Sequence, residues 1–230
     1  MAELTPDTWL QKFLGKPAFR VDLSAGESGD VENTLRAITA QRAFAYARVP
    51  TRDTQTVGML EDTGFRVVDV SVTLETEGLP PAQAGDADRV RFSRADDAVP
   101  IRKIARGGFA FSRFHLDMHI DNRVADQIKS DWAGNFFNDT RGDFMVVADE
   151  HSEPQGFLQL LAGTDGTLTI DLVAVAAAMI RFAAHSCPDV KRLRVGTQAA
   201  NVDSLRLYQR VGFVVRNTDY VLHFHGPVHR

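Results

Sequence analysis

Hydrophobic and polar positions change period several times along the chain, and each change marks an element. Leu193–Thr197 alternates with the two-residue period of a strand. Beyond it Asn201 is a favourable N-cap, Asp203 lies in the first turn, and Gly212 falls where a helix ending at Val211 needs a left-handed residue. Along that helix Leu207 and Val211 stand four apart on an apolar face, while Asn201, Ser204 and Tyr208 share a polar one. A tight turn and the two strands of a hairpin are expected from there to Leu222.

The same pattern occurs earlier. Val31–Gln41 has a helical period and Phe44–Val49 a strand period. Sliding the chain by 148 residues lays Phe44–Glu75 on Arg192–His223 without a gap, with Gly64-Phe65 on Gly212-Phe213, Val67 on Val215 and Leu74 on Leu222. Few residues are identical, so what repeats is the order strand, capped helix, Gly-Phe turn, hairpin. In the earlier copy Asp53 falls where Asn201 is and Leu60 where Tyr208 is. Glu77–Asp88, with two prolines, two glycines and acidic residues, reads as a linker. The expected domains are therefore 1–85, a partial copy, and 89–230, a complete one.

The second domain opens with an edge strand from Val90 that runs into a helix. Phe109–Asp121 is aromatic-rich without a clean period, which suits the lining of a cavity. From Asp121 a helix carries Val124, Ile128, Trp132 and Phe136 at i+4 steps, an apolar stripe that should face a sheet. Strands are expected at Asp143–Ala148, Gln155–Leu161 and Thr167–Val175. In the last, Leu168, Ile170, Leu172 and Ala174 share one face and Asp171, Val173 and Val175 the other, with Asp171 the polar exception.

Composition narrows the classes. The 230 residues are 44% hydrophobic and 24% charged, with a net charge of −4, which gives no bulk basicity for nucleic acid. No apolar run reaches the ~18 residues of a membrane span, and the N-terminus lacks a basic segment followed by an apolar one, so a cytoplasmic location is expected. Cys187 alone permits neither an intramolecular disulfide nor a cysteine metal cage. His223 and His225 share one side of a strand but have no third ligand nearby in sequence, so no metal site is expected.

The arrangement strand–(T-x-x-x-N)–helix with L-Y-x-x-x-G-F resembles the last quarter of the Gcn5-related N-acetyltransferases (GNATs). The resemblance implies an α/β (α+β) fold, a central mixed, mostly antiparallel sheet with flanking helices, here preceded by a partial GNAT-like copy. It also implies acetyl-CoA as cofactor. In that fold the strand matching Thr167–Val175 splays from its neighbour and pairs with the pantetheine amides. By resemblance, then, Leu172, Val173, Ala174 and Val175 contact the cofactor, as do Thr197, Asn201, Ser204 and Leu207. Tyr208 is implied as the acid that protonates the leaving thiolate, with a backbone N–H around Val173 and Ala174 stabilising the oxyanion.

The aromatic F-S-R-F segment and the amino-terminal copy look most like the group that acetylates dTDP-fucosamine (dTDP-4-amino-4,6-dideoxygalactose). That likeness implies a small amine acceptor, a nucleotide-linked amino sugar, met by Phe111, Arg113 and Phe114. An Arg between aromatics suits diphosphate pairing with ring stacking. Asp171 and His115 are the candidate bases, against proton loss to bulk water. Another amine as acceptor (a protein N-terminus, a polyamine, an antibiotic), or a degenerate binding module, are the alternatives. The amino-terminal copy, lacking the phenol, should serve packing or homodimerisation.

One feature departs from the family pattern. Its glycine-rich pyrophosphate loop is missing: Val175 is followed at once by AAAMIRFAAHSC, and no glycine occurs between Gly166 and Gly196. Strand–helix loops usually take ~2–6 residues. Either the pyrophosphate grip is lost, or on the order of ten residues are missing near Val175–Ala177; the second is expected, with a break in the chain there.

Overall fold

A computed structural model of the chain describes residues 3–23, 42–85, 88–150, 153–174 and 177–226. The helix expected at Val31–Gln41 and the break expected near Val175–Ala177 lie outside the described residues. The chain forms two compact units that do not divide at the linker. One comprises Met1–Ser71, Phe111–Val124 and Thr218–Arg230; the other comprises Val72–Ala110 and Ala125–Asn217.

In the first unit β1 (Glu3–Pro6) pairs antiparallel with β2 (Ala18–Asp22), and β2 runs parallel to β3 (Phe44–Pro50). Helix α1 (Thr8–Leu14) is capped by Asp7, whose Oδ1 accepts from the Leu10 N–H at 2.8 Å. After β3 comes α2 (Thr54–Asp62), capped by Asp53 and stopped at Gly64, whose φ of +98° a side-chain-bearing residue rarely adopts. The core joins Val21, Ala47, Leu60 and Phe65 to Leu222 and Phe224.

Both segments expected as hairpins are single strands. β4 is Arg66–Thr76 and β10 is Phe213–His225, each unbroken. Asp219–His225 of β10 pairs antiparallel with Phe44–Pro50 of β3, in the first unit, whereas the Phe213–Asn217 end belongs to the second. Conversely the Val72–Thr76 end of β4 lies in the second unit, where Thr76 Oγ1 accepts from the Leu193 N–H of β9 at 2.9 Å. Each repeat thus gives the end of its last strand to the other repeat's sheet. A hairpin requires its two halves to pair with each other; here the distant partners satisfy those backbone groups instead.

The second unit has strand order β4-β9-β8-β7-β6-β5, with β5 (Val90–Phe92) at the edge, then β6 (Phe144–Glu150), β7 (Glu153–Ala162), β8 (Thr167–Ala174) and β9 (Arg192–Gln198). β5 to β8 are antiparallel and β8 to β9 parallel. The helices are α3 (Ala98–Gly107), α4 (Asn122–Gly134, entering this unit at Ala125), α5 (Ala177–Ser186) and α6 (Val202–Val211). On α4 the buried residues are Ala125, Ile128, Lys129, Ser130, Ala133 and Gly134, so of the expected stripe Ile128 is fully buried while Val124, Trp132 and Phe136 are only partly so. Trp132 is half-buried and keeps a polar task.

Candidate active site

The strands that open the second unit's sheet do so at one place. β8 and β9 pair from Thr167↔Arg192 to Ile170↔Val195 and then stop, although β8 continues to Ala174 and β9 to Gln198. On its other side β8 stays paired with β7, Leu172 on Gln159 and Ala174 on Phe157. Alternate residues of 171–174 therefore turn backbone N–H and C=O groups into an opening that β9 does not fill. Unpaired strand groups of this kind suit a ligand that carries amides of its own, as a pantetheine arm does.

A bulge sets the opening. Gln159 pairs with Leu172 but Leu160 with Ile170, so Asp171 is the extra residue. Its carboxylate is held on several sides. Arg141 donates from Nε to Oδ2 at 2.7 Å and from Nη2 to Oδ1 at 2.5 Å, and Trp132 Nε1 donates to Oδ2 at 2.7 Å. Gln159 Nε2 adds a longer contact of 3.4 Å. A bidentate arginine fixes the orientation of the carboxylate and engages both of its oxygens.

On α6, Asn201 Oδ1 accepts from the Ser204 N–H at 3.2 Å, which uses its oxygen as the cap and leaves its amide NH2 for a ligand carbonyl. Thr197 is buried near the end of β9, in the part that no longer pairs with β8. Tyr208 is buried against Phe213, ring centroids 5.5 Å apart. Burial pushes the phenol up to about 12, so it carries its proton throughout the physiological range. Leu207 packs at the edge of the same core, and Val175 lies outside the described residues.

Phe111, Arg113, Phe114 and His115 belong to the first unit. Phe111 is 41% exposed, whereas Phe114 is 1% exposed and forms part of the interior. The Arg113 guanidinium is buried, 3.9 Å from the centroid of the Tyr46 ring and 4.5 Å from that of Phe114, and its Nη1 has no hydrogen-bond partner. Burial lowers its pKa to about 10, which still leaves it charged at neutral pH. The Tyr46 hydroxyl donates to Asp7 Oδ2 at 3.0 Å, so one carboxylate caps α1 and holds that phenol. His115 Nδ1 lies 2.6 Å from Ser112 Oγ.

The distance in sequence hid one cluster. Asp117 Oδ2 accepts from His223 Nδ1 at 2.6 Å and from His225 Nε2 at 2.7 Å, across separations of 106 and 108 residues. The signal was present as two short alternations, D-x-H at 117–119 and H-x-H at 223–225. Burial pushes His223 down to about 4, which keeps it neutral, and its Nε2 is buried without a partner.

No protein-family model matches the chain. A GCN5-related N-acetyltransferase from Sphaerobacter thermophilus superimposes with a TM-score of 0.59 at 12% identity, over 96% of this chain and 75% of that one. A tandem GNAT protein from the clavulanic acid biosynthesis pathway does so with a TM-score of 0.56 at 14% identity, over 94% and 77%. The protein therefore has the GNAT fold, a mostly antiparallel sheet with flanking helices, and a partial copy of it comes first. In sequence it is 28% identical over 235 residues to the spore coat polysaccharide biosynthesis protein SpsD of Bacillus subtilis (strain 168), covering 94% of this chain and 80% of that protein. Among the described residues no helix is long and apolar enough to cross a membrane.

Proposed function

We propose that this protein is an N-acetyltransferase that moves acetyl from acetyl-CoA to an amino group of a small acceptor. The observation that carries the proposal is the end of β8–β9 pairing at Ile170 and Val195, followed along the chain by a helix bearing a protonated phenol. Acetyl-CoA supplies the activated thioester and, in its pantetheine arm, the amides for the open strand edges. The residues of this chain bind, orient and move protons. Backbone N–H groups of 171–174 pair with the arm and polarise the carbonyl oxygen. The Asn201 amide, Ser204, Leu207 and Thr197 flank the cofactor.

Tyr208 gives its hydroxyl proton to the departing sulfur as the new C–N bond replaces the C–S bond. The attacking amine loses its proton through water. Asp171, fixed by Arg141 and Trp132, acts as a positioning residue that holds the bulge, and His115 remains the side-chain candidate for collecting that proton.

For the acceptor we propose a nucleotide-linked amino sugar of the dTDP-4-amino-4,6-dideoxygalactose type. Support comes from the likeness to SpsD, a protein named for polysaccharide biosynthesis; Arg113, enclosed by Tyr46 and Phe114 with its Nη1 unpartnered, would have to turn outward to meet the acceptor diphosphate. Phe111 supplies the exposed ring beside it in sequence, while Phe114 backs the guanidinium from the interior. A cytoplasmic location and homodimerisation through the amino-terminal copy belong to the same proposal. A second reading, a binding module without turnover, is favoured by the lack of any glycine between Gly166 and Gly196.

One screen separates these readings. Purified protein with acetyl-CoA is offered dTDP-4-amino sugars, polyamines, aminoglycosides and peptides, and thiol release is followed. Turnover with the dTDP-amino sugars alone is expected. Turnover only with another amine sinks the acceptor assignment, and acetyl-CoA binding with no turnover on any amine favours the module.

A further inference from the structure

The first unit gathers side chains that acetyl transfer does not use. Asp117 and His119 come from the Phe111–Val124 segment, His223 and His225 from the end of β10. One ligand atom each from Asp117, His119 and His225 lie within 4.8 Å of one another. His119 Nδ1 is 3.4 Å from Asp117 Oδ1, and the His119 and His225 rings stand 4.9 Å apart, tilted by 31°. Phe44 packs edge-on against both His223 and His225, at 4.8 and 5.2 Å, which fixes their orientation.

We propose that Asp117, His119 and His225 form a binding site for a divalent cation of the zinc class. Bonds of ~2.0–2.2 Å in a tetrahedral site put ligand atoms roughly 3.3 Å apart; Asp117 Oδ2 and His225 Nε2, now 2.7 Å apart, would part to admit the ion while His119 closes on it. Two imidazoles and one carboxylate suit zinc and its borderline neighbours; magnesium and calcium want six or more oxygens.

Hydrogen bonding fixes the carboxylate ligand. Asp117 is 2% exposed and accepts from His223, His225 and the His119 backbone N–H, so its oxygens are held against the two imidazoles that would share the ion. His223, donating to the same carboxylate, would hold that ligand from behind. His119 is 61% exposed, which gives the ion a route in and leaves a fourth position to water. Three protein ligands and one open position describe an exchangeable site.

Lys16 opposes binding. Its Nζ lies 3.3 Å from His225 Nδ1, the nitrogen that must carry the proton once Nε2 takes the metal. The ammonium must then withdraw, so Lys16→Ala should bind metal more tightly.

Untagged, chelator-treated protein is titrated calorimetrically with zinc and, separately, with magnesium. One zinc per chain and no magnesium are expected. His119→Ala, at an exposed position that leaves the fold intact, should weaken zinc by about tenfold or more. Lys16→Ala should strengthen it. His185→Ala, in the second unit, where its Nε2 meets the Pro80 carbonyl, should leave it unchanged. No stoichiometric zinc binding by the wild type overturns the proposal. So does equal binding by His119→Ala, or an equal loss in His185→Ala, which would mark the binding as general to histidines.

Discussion

Leu60 and Tyr208 occupy the same place in two copies of one pattern, 148 residues apart, each buried on a helix that starts at a side-chain cap and ends at a left-handed glycine. The caps correspond too: Asp53 Oδ1 accepts from Thr56 N–H at 3.1 Å and Asn201 Oδ1 from Ser204 N–H at 3.2 Å. A leucine fills the position with apolar volume. Only the phenol adds a proton.

Tyr208→Phe should therefore keep the fold and the acetyl-CoA dissociation constant while turnover falls ~100- to 10,000-fold. The acid acts in the transition state, so kcat and kcat/KM should fall together. Steady-state kinetics beside a cofactor titration checks this. Full turnover with chemistry rate-limiting would mean that another group protonates the sulfur.

Asp171→Asn separates a positioning carboxylate from a base. Loss of the charge weakens the pairing with Arg141, and the bulge should loosen at a cost of ~1–3 kcal/mol in stability, with weaker acetyl-CoA binding. The pH profile of kcat/KM should keep its acid limb. If that limb disappears while stability holds, Asp171 takes the proton itself.

How much of this was legible in the sequence depends on how far apart the contributing residues lie. Caps and left-handed glycines are local, so Asn201, Gly212 and their counterparts Asp53 and Gly64 marked both helices correctly. The strands β6, β7 and β8 followed from alternation. β10 did not: whether Phe213–His225 folds back or runs straight is decided by β3, more than 160 residues earlier in the chain. The partners of Asp171 on α4 and in the loop before β6 were equally invisible, as was the meeting of Asp117 with the two histidines. An arginine between phenylalanines reads as a surface contact, yet Tyr46 and Phe114 enclose it.

Asp69 makes stability pH-dependent in an unusual direction. Burial raises its carboxyl to about 6, against 3.8 ordinarily. The folded state then binds the proton more tightly than the unfolded one, so this contribution is full below pH ~4 and is lost as pH rises through 6. Asp69 alone should cost ~1–3 kcal/mol across that window, while His223, pushed down to about 4, adds stability as pH rises through the same range, so the reading is the difference: Asp69→Asn, which stays neutral, should gain on the wild type as pH rises. Chemical denaturation at pH 4, 5, 6 and 7 measures it. Parallel curves for the two proteins would place Asp69 in water.

Gly212→Ala should cost ~1–2 kcal/mol through its left-handed backbone alone, since nothing crowds the site. Gly64→Ala should cost more, because the added methyl also meets the Phe224 ring at 3.3 Å in the first unit's core. Thermal unfolding of the two variants gives the order.

The most direct test of the account is a calorimetric titration of the whole chain with acetyl-CoA. Among the described residues the open edge of β8 and the phenol of α6 occur in one copy only, so one acetyl-CoA per chain is predicted, with unchanged stoichiometry in Tyr208→Phe. No binding, or two equivalent sites, would contradict it.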